Sequence, residues 1–192
     1  MTELFALDLD TFLTKELEIA KVFSKTNLKY LKAGKNIIKT EVTSPKKSFQ
    51  KISEKILLFH KKQCSSVIST IGQYENYTNF FDFVNKSEYK NNHIYLKIKF
   101  FLIPREFPIN VKINRLSTPK EYPFVFNTGF LDGLQGILNI KEVNNRCLIH
   151  FSMDWEGKYT GMSNYILETF LYTIAKYGMR KMLLITGHGR TY

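Results

Sequence analysis

Hydrophobic and polar residues alternate in short segments along most of the chain, from Phe49 to Trp155. Alternation with a period of two predicts β-strands that bury one face, and turn-forming residues separate the segments. The predicted strands lie at 49–59, 84–89, 93–103, 107–113, 122–131, 134–140 and 147–155. Because the connecting turns are short, neighbouring strands must be antiparallel. We therefore expect one antiparallel sheet with a covered side and a wet side.

Helical periodicity marks the remaining regions. It predicts short helices at 63–71 and within 73–83, and a long helix at 163–184 capped by Thr160 or Ser163. The long helix is apolar over most of its circumference, so we expect it to be largely enclosed. Residues 10–32 predict an amphipathic helix, and the following linker carries a short extended piece at 37–42.

This order of elements predicts an α+β fold. About seven antiparallel strands form a curved sheet around the long C-terminal helix, and two short helices follow the first strand. We expect residues 1–48 to be an N-terminal helical extension with a linker, and residues 49–192 to form the domain.

The segment from Ile71 to Val84 carries a family resemblance. It is similar to the stretch Asp-Phe-x-x-Tyr-Pro-x-Phe-x-Pro-x-Val of the START-like helix-grip (SRPBCC) superfamily, nearest to polyketide cyclase/dehydrase and coenzyme-Q-binding START-type proteins. The matching residues are Tyr74, Tyr77, Phe80 and Val84, and the departures from the pattern are Gln73, Thr78 and Asp82. Leu138 stands in the Trp position of the family's Gly-x-Trp element. The resemblance covers residues 49–184.

The resemblance implies a cavity between sheet and helix that holds a hydrophobic small molecule, such as a lipid, a quinone or a polyketide. The candidate ligand-binding residues are those that the pattern turns inward: Phe80, Leu96, Ile98, Ile109, Val111, Phe124, Phe126, Leu138, Phe151, Met153, Tyr165, Thr169 and Thr173. For any one of them, simple core packing is the alternative. Thr169 and Thr173 are the polar members, and their hydroxyl groups suit either a ligand head group or a carbonyl one helical turn earlier.

The sequence shows no recognisable catalytic motif, metal-ligand spacing or cofactor fingerprint. His150, Ser152 and Asp154 share one strand face, but a single flat strand does not give the converging geometry of a triad. A cyclase/dehydratase-type enzyme remains the alternative function, and it requires an ionisable group that points into the cavity.

The net charge of +11 changes the picture only on one face. Lys97, Lys99 and Lys112 share the outer side of the predicted sheet, with Arg105 at the adjoining turn. Such a face suits contact with an anionic membrane, with the ribosome or with RNA, and an interaction module of this kind is a further alternative function. The pattern is more typical of an ordinary soluble surface. Neither the oligomeric state nor the identity of a ligand follows from the pattern.

The two cysteines, Cys64 and Cys147, do not form a recognisable disulfide framework, so we expect reduced, buried thiols. The first residues lack the features of a signal peptide, and no apolar run is long enough to cross a bilayer. We expect a cytoplasmic protein.

Overall fold

A computed structural model describes residues 36–99, 106–129 and 131–187, so the predicted helix at 10–32 lies outside the described residues. Eight antiparallel strands form one sheet in the order β1-β2-β8-β7-β6-β5-β4-β3. The strands are β1 Ile37–Lys46, β2 Phe49–His60, β3 Val84–Lys90, β4 His93–Lys99, β5 Glu106–Ile113, β6 Glu121–Phe126, β7 Gln135–Val143 and β8 Arg146–Lys158.

Short helices lie between β2 and β3, and a long helix follows β8. Helix α1 spans Cys64–Ile71, a single 3-10 turn spans Tyr74–Asn76 and helix α2 spans Tyr77–Phe80. Helix α3 spans Asn164–Ile185, and the Ser163 side chain accepts a hydrogen bond from the backbone N–H of Ile166, as expected of an N-cap. The predicted α+β fold, with a curved antiparallel sheet and a long C-terminal helix, is confirmed.

Tight asparagine turns set the register of two hairpins. Asn91 and Asn92 join β3 to β4, and Asn144 and Asn145 join β7 to β8, all four with φ between 53° and 61°. Two consecutive residues with positive φ form the type I′ turn, whose twist matches that of the flanking strands.

Strand β1 was expected to be part of a linker with a short extended piece. It is a full strand paired with β2 from Ile37 opposite Leu57 to Lys46 opposite Phe49, so the sheet takes in residues before Phe49 and has eight strands. Its apolar content is low because it is an edge strand that carries Lys39 and Glu41 on its outer side.

Strand β2 holds both ends of helix α3. At its beginning, buried Gln50 donates to the carbonyl of Met162 (2.8 Å) and accepts from the backbone N–H of Thr160 (2.8 Å). At its end, buried His60 lies 2.9 Å from the hydroxyl of Thr186. That hydroxyl donates to the Met182 carbonyl, so it accepts from Nε2–H of His60. The helix is therefore fixed across the sheet at two points.

The two faces of the sheet do not divide simply into covered and wet. Over β3, β4 and β5, the outer residues Lys97, Lys99 and Lys112 are exposed as expected. Over β1, β2 and β8, outward-facing apolar residues are buried, namely Ile37, Leu57, Phe59 and Leu148. The expectation of a uniformly wet outer face therefore holds for only half of the sheet.

The expectation of two reduced thiols is corrected by the fold. Cys64 at the start of α1 and Cys147 at the start of β8 form a disulfide across 83 residues of sequence. The sequence gives no sign of this pairing, because only the folded sheet brings the two segments together. No described helix has the length and apolar character needed to cross a membrane.

Candidate functional site

A cavity of about 450 Å³ lies between the sheet and helix α3. The helix packs directly on β1 and β2, and the curved sheet moves away from it toward β4 and β5. The space that remains is lined by side chains from six of the eight strands, from the Ile71–Phe83 segment, from the connecting residues Leu116, Leu131 and Leu134, and from one side of α3. Its volume is within the range of small-molecule sites, roughly 300–1,000 Å³.

Small residues keep this cavity open. Ala175 and Gly178 lie on the side of α3 that lines it, and a side chain at Gly178 would enter open space with no atom within 4 Å of its Cβ position. Larger residues at these two positions would reach into the gap. Gly136 on β7 is small for a different reason, since an added Cβ would clash with the Ser152 carbonyl oxygen and lie 2.5 Å from the Phe124 ring.

Aromatic rings form one wall of the cavity. Phe124 and Phe151 are stacked, with ring centroids 5.0 Å apart and an angle of 12° between planes, and Phe126 lies 6.2 Å from Phe124. Stacked rings are rigid because each holds its neighbour in place. They therefore present a flat apolar surface to whatever enters the cavity.

Two tyrosines line the end of the cavity near α1, but their hydroxyl groups already have partners. Tyr74 donates to the carbonyl of Asn114 (3.1 Å), and Tyr77 donates to the carbonyl of Ile71 (2.8 Å). Burial raises the pKa of both hydroxyl groups, so both stay neutral at physiological pH. They contribute ring surface to the cavity and have no free O–H donor.

Glu54 is the single carboxylate among the described residues that line the cavity. It is only 4% exposed, and its Oε1 accepts a hydrogen bond from the Thr40 hydroxyl (2.8 Å). Within the described part of the chain, no other hydrogen-bond partner of the carboxylate is present. Burial raises the pKa of Glu54 from its ordinary value of 4.5 to about 7, and the Thr40 bond opposes part of that effect. Near neutral pH, the group therefore exists in both protonated and ionised forms.

Glu54 is not among the predicted site residues, although the alternation of its strand indicates its inward position. Glu54 lies two or four residues from Ile52, Ile56 and Leu58, so its side chain is on the same inner side of β2 as theirs. A charged residue at an inward position requires a partner or a special role. The inward polar residues of this strand were the feature to examine.

Eight of the predicted ligand-binding residues lie in the cavity lining. They come from five strands and were predicted by period-two alternation: Ile98, Ile109, Val111, Phe124, Phe126, Leu138, Phe151 and Met153. The alternation was reliable here because a strand has only two faces, and one of them is clearly apolar.

The other five predicted residues lie outside the lining. Leu96 packs against the core, and Phe80 is half-buried beside Tyr77. Tyr165, Thr169 and Thr173 lie on the outer side of α3, and Tyr165 is 79% exposed. The Thr173 hydroxyl donates to the carbonyl of Thr169 (2.7 Å), so the helix itself satisfies it.

The expectation that α3 is largely enclosed is also corrected. This helix carries apolar residues on nearly all sides, so a 3.6-residue period fits more than one stripe. The buried stripe contains Leu167, Leu171 and Leu183, whereas Ile166 is 55% exposed. The sequence pattern could not show which stripe faces the sheet.

A short aromatic segment joins the edge of the cavity to α3. Phe81 and Phe83 line the cavity, and Asp82 between them accepts hydrogen bonds from Lys181 (2.7 Å) and from the Tyr177 hydroxyl (2.8 Å). These two donors hold the pKa of the Asp82 carboxyl below its ordinary value. The Phe83 and Tyr177 rings are also in contact, with centroids 5.7 Å apart.

Other candidate sites are less developed. The described residues contain no group of three or more His, Cys, Asp or Glu side chains arranged to hold a metal ion. On the outer face, Lys99 lies opposite Glu106, and Lys86 beside Lys97 forms an ion pair with Glu88 (3.3 Å). The positive charge of this face is therefore interrupted by carboxylates.

No family model matches the sequence, and no curated protein matches it either. Solved structures do resemble it. A conserved protein from Geobacillus kaustophilus has a TM-score of 0.60 at 9% identity, covering 70% of this chain and 95% of that one. A START superfamily protein from Mycobacterium smegmatis has a TM-score of 0.54 at 8% identity, covering 68% and 93%. The Zhui aromatase/cyclase from Streptomyces sp. R1128 has a TM-score of 0.52 at 8% identity, covering 71% and 91%.

At identities this low, the similarity establishes the fold. The chain has the helix-grip fold, in which a curved antiparallel sheet surrounds a long C-terminal helix, and the predicted resemblance to START-like proteins is confirmed at that level.

Proposed function

We propose that this protein binds a hydrophobic small molecule in the cavity between its sheet and helix α3. The observation that carries the proposal is a space of about 450 Å³ lined almost entirely by apolar side chains. Burial of an apolar ligand in such a space releases about 25 cal/mol per Å² of apolar surface removed from water. The eight predicted lining residues, from Ile98 to Met153, are the proposed binding surface.

Gly178 offers a direct test, because a side chain there enters open space. We expect Gly178→Leu to occupy part of the cavity and to weaken binding of the neutral apolar fluorophore N-phenyl-1-naphthylamine about tenfold or more. The substitution should also leave stability unchanged or raise it, since glycine costs about 1 kcal/mol relative to alanine inside a helix. Fluorescence titration and urea unfolding measure the two effects.

Thr173→Leu is the matched control, because it adds a leucine to the exposed side of the same helix. It should leave fluorophore affinity unchanged. Equal affinity of wild type and Gly178→Leu would contradict the proposal. Native mass spectrometry of the purified protein supplies the natural ligand, and we expect a bound lipid-like mass that is lost in Gly178→Leu.

A second function, an enzyme of the cyclase/dehydratase kind, is favoured by one specific observation. Glu54 is an ionisable group in the cavity, and its pKa of about 7 suits proton transfer at neutral pH. In a dehydration, ionised Glu54 would accept a proton from the carbon next to a carbonyl. It would then donate that proton to the hydroxyl group on the neighbouring carbon, which leaves as water while the C=C bond forms. Incubation with a long-chain β-hydroxyketone distinguishes the functions: the enzyme requires loss of one water with the wild type and none with Glu54→Gln.

A further inference from the structure

We propose that Glu54, held by Thr40, selects a neutral ligand that carries a hydroxyl or carbonyl oxygen at one end of an apolar body. The inference rests on the proposed binding function and specifies the chemical class of ligand that the cavity accepts. Its basis is the position of one carboxyl group in surroundings that are otherwise apolar.

The Glu54 carboxyl group is held at one oxygen and, among the described residues, has no partner at the other. Thr40 on β1 lies directly opposite Glu54 on β2 and donates to Oε1 (2.8 Å), which fixes the side chain on the inner face of the sheet. The second oxygen, Oε2, has no hydrogen-bond partner among the described residues. Glu54 is 96% buried, so this oxygen requires a partner whenever a ligand displaces water from the cavity.

The described lining of the cavity does not suit a ligand with a negative charge. The described lining contains no lysine, arginine or histidine, and its tyrosine hydroxyl groups are committed to backbone carbonyls. A carboxylate or phosphate head group would lie in apolar surroundings with Glu54 as its nearest charge. An isolated anion without a donor or counter-ion is strongly disfavoured there.

A ligand with a positive charge also suits the cavity poorly. An ammonium group has three N–H donors, and each requires an acceptor when buried. The cavity offers Oε2 of Glu54 and few other acceptors, so burying the pair would leave donors unsatisfied. A single hydroxyl or carbonyl matches the site better, because it forms one hydrogen bond with one carboxyl oxygen.

The Glu54 carboxyl group can bind either a hydroxyl or a carbonyl group of a ligand. When protonated, the carboxyl donates to a carbonyl or hydroxyl oxygen, and when ionised, it accepts from a hydroxyl group. The stacked Phe124 and Phe151 rings lie three strands and one strand away from β2, and they contact the apolar body of the ligand. The carboxyl therefore sets the orientation of the ligand, and the rings supply most of the contact area.

The test is displacement of N-phenyl-1-naphthylamine from the full chain by four molecules of matched length: dodecan-1-ol, dodecane, dodecanoate and dodecylamine. We expect the alcohol to bind about tenfold more tightly than the alkane, the fatty acid anion or the amine, since an unmade buried hydrogen bond costs a factor of that order. Glu54→Leu should abolish the preference for alcohol over alkane while the fluorophore still binds. Glu54→Gln should restore it, because the amide also donates and accepts.

Each result has a distinct meaning. If Glu54→Leu keeps the full alcohol preference, or if the wild type prefers the anion or the amine, the inference is overturned while the binding function stands. If neither the fluorophore nor any of the four molecules binds the wild type, the binding function fails. Thr40→Val provides a second variant that leaves Glu54 in place, and it should reduce the alcohol preference. Circular dichroism spectra of all three variants verify that they are folded.

Discussion

Strands β2 and β4 both turn every second side chain toward the interior, yet they use these positions differently. On β4 the inward residues Ile94, Leu96 and Ile98 are all apolar, and the outward residues include Lys97 and Lys99. On β2 the inward positions include three polar residues among aliphatic ones, and its outer face is partly buried as well.

The three polar residues of β2 have different partners. Gln50 and His60 bind the two ends of helix α3, so their inward position serves the assembly of helix and sheet. Glu54 lies between them, is bonded to Thr40 and faces the cavity. Inward polar residues on this strand therefore either join the helix to the sheet or place a polar group in the cavity wall, and their hydrogen-bond partners distinguish the two cases.

The largest expected effect on stability concerns the disulfide, which crosslinks the half of the molecule that contains β2 and β8. Among the described residues, the half that contains β4 has no such crosslink. Cys147 lies opposite His60 in the β2–β8 register, so the bond closes the end of this half. Reduction should lower the free energy of unfolding by about 4 kcal/mol, because a closed loop of this length strongly restricts the unfolded chain. Urea unfolding of the wild type with and without reductant measures the difference.

Thiol titration in denaturant supplies the control for this prediction. The protein purified without reductant should release no free thiol. Two titratable thiols, together with unchanged unfolding curves after reduction, would contradict the assignment.

The second effect is a pH dependence that comes from Glu54. Its pKa is about 7 in the folded protein and 4.5 as the ordinary value, so the folded state holds the proton more strongly. The contribution of protonated Glu54 to the free energy of unfolding is complete below about pH 4.5. It is lost as the pH rises through 7, which lowers the free energy of unfolding by about 3 kcal/mol. No other charged group lines the described cavity, and Glu168 on α3 contacts the Val42 N–H instead.

Glu54→Gln should remove this decrease, because the amide keeps the shape and the Thr40 bond without titrating. Urea unfolding between pH 4.5 and 8.5 measures it. Glu88→Gln, which removes an exposed carboxyl from β3 in the other half, should leave the wild-type pH dependence in place. Parallel curves for wild type and Glu54→Gln would show that Glu54 does not titrate in this window.

The smallest effect tests the clamp at the start of α3. Gln50→Ala leaves the Thr160 N–H and the Met162 carbonyl without their partner, which should cost about 2 kcal/mol of unfolding free energy. Hydrogen exchange should accelerate first at the beginning of α3. On β4, the exposed Lys97→Ala should change stability by no more than about 0.5 kcal/mol. Equal effects at both positions would remove the distinction between the two strands.

Much of the architecture could be predicted because strands and turns are local. The alternation of Ile94, Leu96 and Ile98 gave the inner face of β4, and the asparagine pairs gave two hairpin turns. The order of elements then predicted the fold. The sequence was less informative for β1, since an edge strand with charged outer residues resembles a linker.

The site was predicted only in part. Inward positions on strands follow from a period of two, so residues such as Phe124 and Phe151 were found. Thr169 and Thr173 were placed on the wrong side of α3, because an apolar helix has several stripes that fit a period of 3.6. Glu54 was not predicted because alternation identifies inward apolar residues and does not distinguish a buried carboxylate from an exposed one.

The sequence by itself determined the elements other than β1, the antiparallel pairing of neighbouring strands and which strand residues face inward, since these depend on near neighbours along the chain. Tertiary structure alone decided three features. It joined Cys64 to Cys147 across 83 residues, it selected the stripe of α3 that faces the sheet, and it left a cavity beside Gly178 with Glu54 in its wall. Each depends on segments that are distant in sequence and meet only when the sheet curves around the helix.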